Sequence, residues 1–386
     1  MEGSTAHPRP LLRRATWSNL NGPWDFAFDP ARQWKEPAAV SFDRTIEVPY
    51  APETPRSGIH DEGFHPVVWY RKTVPAAGPG ARVFLHFGAV DYRAEVWVNG
   101  HFLARHEGGH TPFTVEVTGL AKQAPELTIV VRAEDEPGAL DQPRGKQDWQ
   151  LRSHSIWYPR TTGIWQTVWL EYTPETYLRS LQWTPDLEHF SLRCEAEIDG
   201  MLEPDDFLRV QLFVRDRLVA DDSFRLQGPS VVRSFHLYDG GLEDVRQELL
   251  WSPEHPQLIE VKITLGRGDE VLDRVESYTA LRSAGFDEIA FLLNGRAYPL
   301  RLVLDQGYWP ASGLSATDEE LRQDVLLTKR LGFNGARKHQ KIEDPRYLYW
   351  CDRLGLLVWE EMPSAYAFSS RAVEGVTAEW VEAIAR

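Results

Sequence analysis

Arg301-Leu-Val-Leu304, Thr317-Asp-Glu-Glu-Leu-Arg-Gln-Asp-Val-Leu-Leu-Thr-Lys-Arg-Leu-Gly332 and Leu356-Leu-Val-Trp359 decide the fold of the last part of the chain. The first run is a short apolar strand. In the second, Thr317 is a helix cap and Glu320, three residues on, completes a capping box. Leu321, Val325 and the leucines up to Leu331 give the helix an apolar face, and Gly332 stops it. A second strand is expected over 334–339. Asp344 then caps a helix with Pro345 at its first position, where a missing N–H costs nothing, and Gly355 ends it. Leu356 to Trp359 is continuously apolar, as strands of a parallel sheet buried on both faces are. Another helix is expected from near Ala378. Strand, helix, strand, helix, strand is the texture of an α/β unit.

Working back towards the N-terminus, the texture changes. Residues 174–282 carry short alternating strands, among them Ser191-Leu-Arg-Cys-Glu-Ala-Glu-Ile198, Phe207-Leu-Arg-Val-Gln-Leu-Phe-Val214 and Leu258-Ile-Glu-Val-Lys-Ile-Thr-Leu265. This spacing predicts a small immunoglobulin-like β-sandwich. Residues 1–173 also alternate with period two, as in Arg82-Val-Phe-Leu-His-Phe87 and Glu126-Leu-Thr-Ile-Val-Val-Arg132. Asn99-Gly100 between two such runs is a hairpin signal, because both residues tolerate positive φ. A jelly-roll β-sandwich is expected here. The third domain is 283–386. An eight-fold barrel takes about 250 residues, and about 100 follow Ser283. These residues are therefore either a small open three-stranded unit or the first three βα units of a truncated (β/α)₈ TIM barrel. The second is expected, since the third strand otherwise keeps an unpaired edge.

Composition narrows the function classes. Lys and Arg number 42 against 57 Asp and Glu, a net charge of −15. That balance argues against nucleic acid or an anionic membrane as partner. Cys194 and Cys351 are the only cysteines, too few for a disulfide framework, so a reducing, cytoplasmic setting is expected. No apolar leader or run of 18 apolar residues is present in the sequence. His106-Glu-Gly-Gly-His110 matches the H-E-x-x-H zinc pattern, which needs a helix to bring both histidines to one face. Paired glycines and the following strand Phe113-Thr-Val-Glu-Val117 predict a strand and turn instead, so no metal site is assigned. No phosphate-binding glycine loop or GxSxG elbow occurs, and no cofactor is implied.

The ends of the three C-terminal strands carry the candidate site, because barrel sites form at that edge. Asp305, Gln306 and Trp309 follow the first strand. Arg337, His339 and Gln340 follow the second. Trp359 and Glu360 end the third, with Glu361 next. Adjacent residues point to opposite sides of a strand, so Glu360 and Glu361 cannot form a facing acid–base pair. Arg337 has two readings: it holds a ligand or orients a carboxylate, or it makes a structural salt bridge to Glu360 or Glu361. In the first domain, Gln147, Trp149, Trp157 and Tyr158 lie in a polar loop. Aromatics among amides and charges suit a sugar ring, with its apolar C–H faces and hydroxyl edges. Trp165 and Trp169, on an alternating strand, are expected in the core.

In order along the chain, Asn19-Leu-Asn-Gly-Pro-Trp-Asp-Phe26, Val68-Trp-Tyr-Arg-Lys-Thr73, Leu85-His-Phe-Gly-Ala-Val-Asp91, Val96-Trp-Val-Asn-Gly100 and Thr162-Gly-Ile-Trp-Gln-Thr-Val-Trp-Leu-Glu171 resemble the sugar-binding jelly roll of glycoside hydrolase family 2. This is the group of β-galactosidases, β-glucuronidases and β-mannosidases. Trp251-Ser-Pro-Glu-His-Pro256 resembles its immunoglobulin-like domain. Leu331-Gly-Phe-Asn-Gly-Ala-Arg337 and Cys351-Asp-Arg-Leu-Gly-Leu-Leu-Val-Trp-Glu360 resemble the start of its barrel. The resemblance implies retaining, exo-acting hydrolysis of O-glycosyl bonds by two glutamates, one in an Asn-Glu pair after the fourth strand and one further on. Neither position falls within this sequence, so no catalytic residue is assigned. Arg337, Gln340 and Asp305 would contact sugar or orient the glutamates, Trp309 and Trp359 would wall the site, and Gln147 and Trp157 would reach in from the first domain. The family shows Arg-x-x-His after the second strand, where this chain has Arg337 and Gln340 with His339 one position early. A carbohydrate substrate is the implied partner, with homo-oligomers expected only of a full-length protein. The rival reading is a non-catalytic carbohydrate-binding module.

Overall fold

A computed structural model describes residues 7–237 and 246–384. The first unit is a sandwich of two antiparallel sheets. One has six strands in the order Arg44–Val48, Gly22–Phe28, Val67–Pro75, Glu126–Glu134, Arg93–Val98 and His101–Glu107. The other has four, Trp17–Asn19, Val168–Thr173, Arg82–Phe87 and Phe113–Glu116. Alternate residues of both sheets, including Trp24, Phe26, Tyr70, Leu85, Val96, Val131 and Leu170, meet in one core. Asn99 and Gly100 both take positive φ (51° and 80°) in the hairpin joining Val98 to His101. Trp165 and Trp169 are buried, but outside this core: Trp165 packs with Ala89 and Leu314, and Trp169, between the core-facing Val168 and Leu170, stacks on His86 on the other side of its sheet.

The second unit packs a three-stranded sheet (Tyr177–Asp186, Ser191–Asp199, Ser230–His236) on a four-stranded one (Arg217–Arg225, Asp206–Val214, Ile259–Arg267, Glu270–Thr279). Its core gathers Leu178, Leu192, Cys194, Val210, Ile263 and Val275. The N-terminal segment ties the two sandwiches together. Leu12 enters the second core, and Arg13 bridges to Glu276 on its outer strand. Arg14 is buried between the two: its guanidinium meets Glu171 of the first sandwich at 2.7 Å and Asp273 of the second at 2.8 Å.

A small antiparallel sheet (Ala284–Phe286, Phe291–Leu293, Arg296–Ala297) leads into three parallel strands, Leu302–Asp305, Gly335–Lys338 and Leu357–Glu360, in sequence order. Helices Asp318–Arg330 and Pro345–Leu354 link them, and a third, Ser370–Ile384, follows. The capping box at Thr317 and Glu320 is formed. Glu320 also pairs with Arg56, which fixes the helix start to the first sandwich. The last helix begins at Ser370, eight residues before the expected Ala378. Ser369 Oγ accepts from Ala372 N, so a serine cap that periodicity missed starts the helix.

The parallel sheet buries one face only. Val303, Ala336 and Val358 pack on Leu321, Val325, Tyr347 and Cys351 of the helices. On the other face Leu304, Arg337 and Trp359 stand in register, and Leu304 and Trp359 are 54% and 50% exposed. The apolar run at the third strand therefore does not mean burial on both faces among the described residues. Trp251 and Arg282 join this unit to the second sandwich: the Trp251 indole donates to Asp352 O at 2.7 Å, and Arg282 meets the Asp352 carboxylate at 2.7 Å.

Candidate functional site at the strand ends

The C-terminal ends of the three strands carry two layers of charge, separated by the period of two. The side facing the helices is a buried lattice. Lys338 Nζ lies 3.0 Å from Glu343 Oε2 and over the Tyr347 ring at 3.8 Å. Lys341 Nζ meets Glu343 Oε1 at 2.8 Å and donates to the carbonyls of Gly307 and Leu314. Burial alone would discharge these groups. Against it, Glu343 and Asp305 hold the Lys338 ammonium above its ordinary value, and the two lysines bring Glu343 down to about 2. Glu360 belongs to this layer: its Oε1 accepts from Glu343 N at 2.7 Å, and burial pushes its carboxyl up to about 7.

The opposite side is the open rim. Arg337 pairs with Glu361 at 2.5 Å, the salt bridge that was one of its two sequence readings. His339 Nε2 lies 3.5 Å from Glu361 Oε2. Gln306 Nε2 lies 3.3 Å from His339 Nδ1, and the Gln340 amide is 3.4 Å from the same imidazole. Burial pulls the His339 imidazole below its ordinary value, opposed by Glu361. The rim thus offers amide, imidazole, guanidinium and carboxylate groups, a set suited to hydroxyl-rich ligands.

The first sandwich reaches this rim through its loop at 143–162. Tyr158 stacks on Tyr308 with ring centroids 4.2 Å apart, and its hydroxyl donates to Gln306 at 3.0 Å. Gly145 (φ +61°) sits on the carbonyl of Gln340, where a Cβ would come within 2.2 Å of that oxygen. Trp149, Trp157 and Tyr366 form an aromatic cluster, with Trp157 and Tyr366 centroids 4.5 Å apart and Lys146 Nζ 4.2 Å from the Trp157 ring.

Of the residues singled out in the sequence, Gln306, Arg337, His339 and Gln340 come together at the rim, with Trp157 half-buried in the adjoining cluster. Four lie elsewhere. Gln147 is 1% exposed; its amide nitrogen donates to Asp91 Oδ2 (2.6 Å) and its amide oxygen accepts from Thr161 N (2.8 Å), because the loop carries it inward as a tether. Asp305 and Glu360 face the helices, and Glu361 takes the rim position expected of Glu360, because the strand alternation falls one residue later. Trp309 packs on the helix-side core with Val303 and Val358, its main chain paired with Gly313. Trp359 stands on the open face with its ring centroid 6.5 Å from that of Phe286. Sequence reasoning missed Lys338, Lys341 and Glu343. The signal was there: Lys338 alternates with Ala336 on the buried face, and a lysine there requires counter-ions. His106–His110 spans a strand end and turn, and among the described residues no three His, Cys, Asp or Glu side chains come together to hold a metal.

Comparison with known proteins gives these features a setting. Residues 65–173 match the glycosyl hydrolase 2 galactose-binding domain-like model, and residues 176–282 match that of glycosyl hydrolases family 2. A β-galactosidase of Thermoanaerobacter pseudethanolicus is 27% identical over 89% of this chain and 44% of its own length. The β-glucuronidase of Canis lupus familiaris is 25% identical over 94% of this chain and 59% of its own. A β-glucuronidase structure from Ruminococcus gnavus, in complex with D-glucuronic acid, superposes with a TM-score of 0.77 at 20% identity, covering 100% of this chain and 66% of that one. The chain therefore spans about half the length of these relatives.

Proposed function

Since this chain belongs to glycosyl hydrolases family 2, we propose that it forms the sugar-facing front of a retaining, exo-acting β-glycosidase, with the catalytic glutamates on further βα units. In this reading the three parallel strands are the first staves of a (β/α)₈ barrel, and the rim is part of the subsite for the cleaved sugar. The observation that carries it is the convergence of Gln306, Arg337, His339 and Glu361 from three strand ends on the loop of the first sandwich, with Tyr158 bonded to Gln306 at 3.0 Å. Barrel enzymes build their sites at that edge. The uncovered row of Leu304, Arg337 and Trp359 supports a barrel interior awaiting its other strands.

Neither Glu360 nor Glu361 suits the chemistry. Retaining hydrolysis needs two carboxyls about 5–5.5 Å apart across the bond. Glu360 faces the helix layer, and Glu361 is held by Arg337. Two-carboxylate hydrolysis requires no metal or organic cofactor. The free, buried Cys194 and Cys351 fit a cytoplasmic setting. The aromatic cluster of Trp149, Trp157 and Tyr366 favours a second reading, carbohydrate binding without cleavage.

The test is to incubate the chain with a panel of aryl β-glycosides and to titrate it with galactose and glucuronate. Sugar binding without turnover is expected. Turnover by this chain alone would overturn the assignment of the glutamates to other βα units, and failure to bind either sugar would remove the rim as a subsite.

A further inference from the structure

The charges around the rim are answered except at one point. Arg337 is paired with Glu361 at 2.5 Å. Asp148 is occupied within its own loop: its carboxylate accepts from the main-chain N–H groups of Gln150 and His154 and meets His154 Nδ1 at 2.8 Å. Lys146 has no such answer. The residue is only 6% exposed, yet among the described residues no carboxylate pairs with its ammonium, which instead lies 4.2 Å from the centre of the Trp157 ring. Burial alone moves that ammonium, downwards, with no neighbouring charge opposing it. A cation–π contact steadies an ammonium without neutralising it, and a buried cation without a counter-ion is costly. The main chain sets this lysine at the rim. Its carbonyl accepts from Tyr158 N at 3.0 Å, the Tyr158 phenol bonds to Gln306, and Gly145 sits on the Gln340 carbonyl. Burial first, then the cations Lys146 and Arg337, hold the His339 imidazole low against Glu361, so the histidine adds no charge at neutral pH.

We propose that Lys146 receives the carboxylate of an acidic sugar, so that the rim takes a uronic acid residue in preference to a neutral hexose. The ligand class follows from what the groups can bind. The Gln306 and Gln340 amides and the His339 imidazole suit hydroxyls, while the one uncancelled cation suits one anion. A uronate carries both on a single ring. Its carboxylate exchanges the weak hold of the Trp157 face for a charge-assisted hydrogen bond to the lysine. The inference rests on the rim being the sugar subsite, and it names the class of sugar.

Indole ¹H–¹⁵N spectra of ¹⁵N-tryptophan-labelled chain test this without turnover, with Trp157 assigned from a Trp157→Phe variant. The probes are methyl β-glucuronide and methyl β-glucoside, which differ only at the sixth carbon. Both should move the Trp157 signal, the glucuronide at about tenfold lower concentration, the effect of one charge-assisted hydrogen bond. Lys146→Met should bring the two affinities together, and Lys146→Arg should keep most of the preference. The signals of the fully buried Trp24 and Trp251 report that each variant is folded. Equal affinities in the wild type, or a preference that survives Lys146→Met, overturn the proposal and leave the sugar subsite standing. Acetate that moves the Trp157 signal at the same concentration as the glucuronide marks a bare anion site and overturns it as well. A signal that moves with neither glycoside defeats the subsite reading itself.

Discussion

Lys338 Nζ lies 2.5 Å from Asp305 Oδ2, a charge pair that joins the first two parallel strands at their C-terminal ends. Asp305 and Lys338 are register partners in the sheet, so the pair acts across one ladder step. It is also the root of the lattice that continues through Glu343 to Lys341. Removing one partner of a buried pair strands the other charge, which costs about 3–5 kcal/mol. Lys338→Met should therefore lower the unfolding free energy of this unit by that order, read as a lower urea midpoint. A midpoint within experimental error of wild type would show that the pair contributes nothing net.

Glu360 gives a pH-dependent counterpart. Its carboxyl is raised by burial to about 7 in the fold, against 4.5 for the ordinary group. The folded chain thus holds a proton that the unfolded chain releases. The resulting stability is fully present below pH about 4.5 and is lost as pH rises towards 7. Glu360→Gln keeps an oxygen for Glu343 N and removes the titration. The variant should gain on wild type by roughly 2–3 kcal/mol between pH 4.5 and pH 8, read from thermal midpoints along the pH series. Parallel curves for the two proteins would refute the raised carboxyl.

Gly145 tests how the first sandwich docks on the rim. Its φ of +61° disfavours any Cβ, by about 1–2 kcal/mol, and the carbonyl of Gln340 fills the space a Cβ would need. Gly145→Ala should lift the loop and dissolve the packing of Trp149, Trp157 and Tyr366. The near-UV circular dichroism of those rings is the readout, with a large loss expected. An unaltered spectrum would mean that the loop has room to spare.

Two tryptophans should behave oppositely. Trp251 is fully buried and bonded to Asp352 O, so Trp251→Ala should cost about 3–5 kcal/mol. Trp359 stands half-exposed on the open face of the sheet, so Trp359→Ala should cost less than about 1 kcal/mol in this chain. Thermal midpoints of the two variants decide it, and similar losses would mean that the open face is covered in solution.

Much of this architecture was legible because it is written in local signals. The Asn99-Gly100 turn, the capping box at Thr317 and Glu320, Pro345 after Asp344 and the αL Gly355 each act within a few residues, and each is where the pattern put it. Arg337 and His339 followed from strand position alone. What failed depended on faces and partners far apart in sequence. Which of Glu360 and Glu361 meets the rim turns on a one-residue register that a continuous apolar run cannot fix. Gln147 looked like a ligand-facing amide because its loop is polar, but its partners Asp91 and Thr161 are brought to it only by the folded sandwich. The Lys338, Glu343 and Lys341 lattice needed two strand ends and a loop to converge before its charges could be understood.

Arg14 carries a consequence for handling the molecule. Its one guanidinium is shared by Glu171 and Asp273, while the covalent connection between the strands that bear the two sandwiches is only the tripeptide 174–176. A protease that clips the chain just ahead of Trp17 would carry off the shared cation and leave two acids facing each other across the seam. The nicked product would then flex about that short hinge, and its scattering profile would broaden although every strand stayed intact.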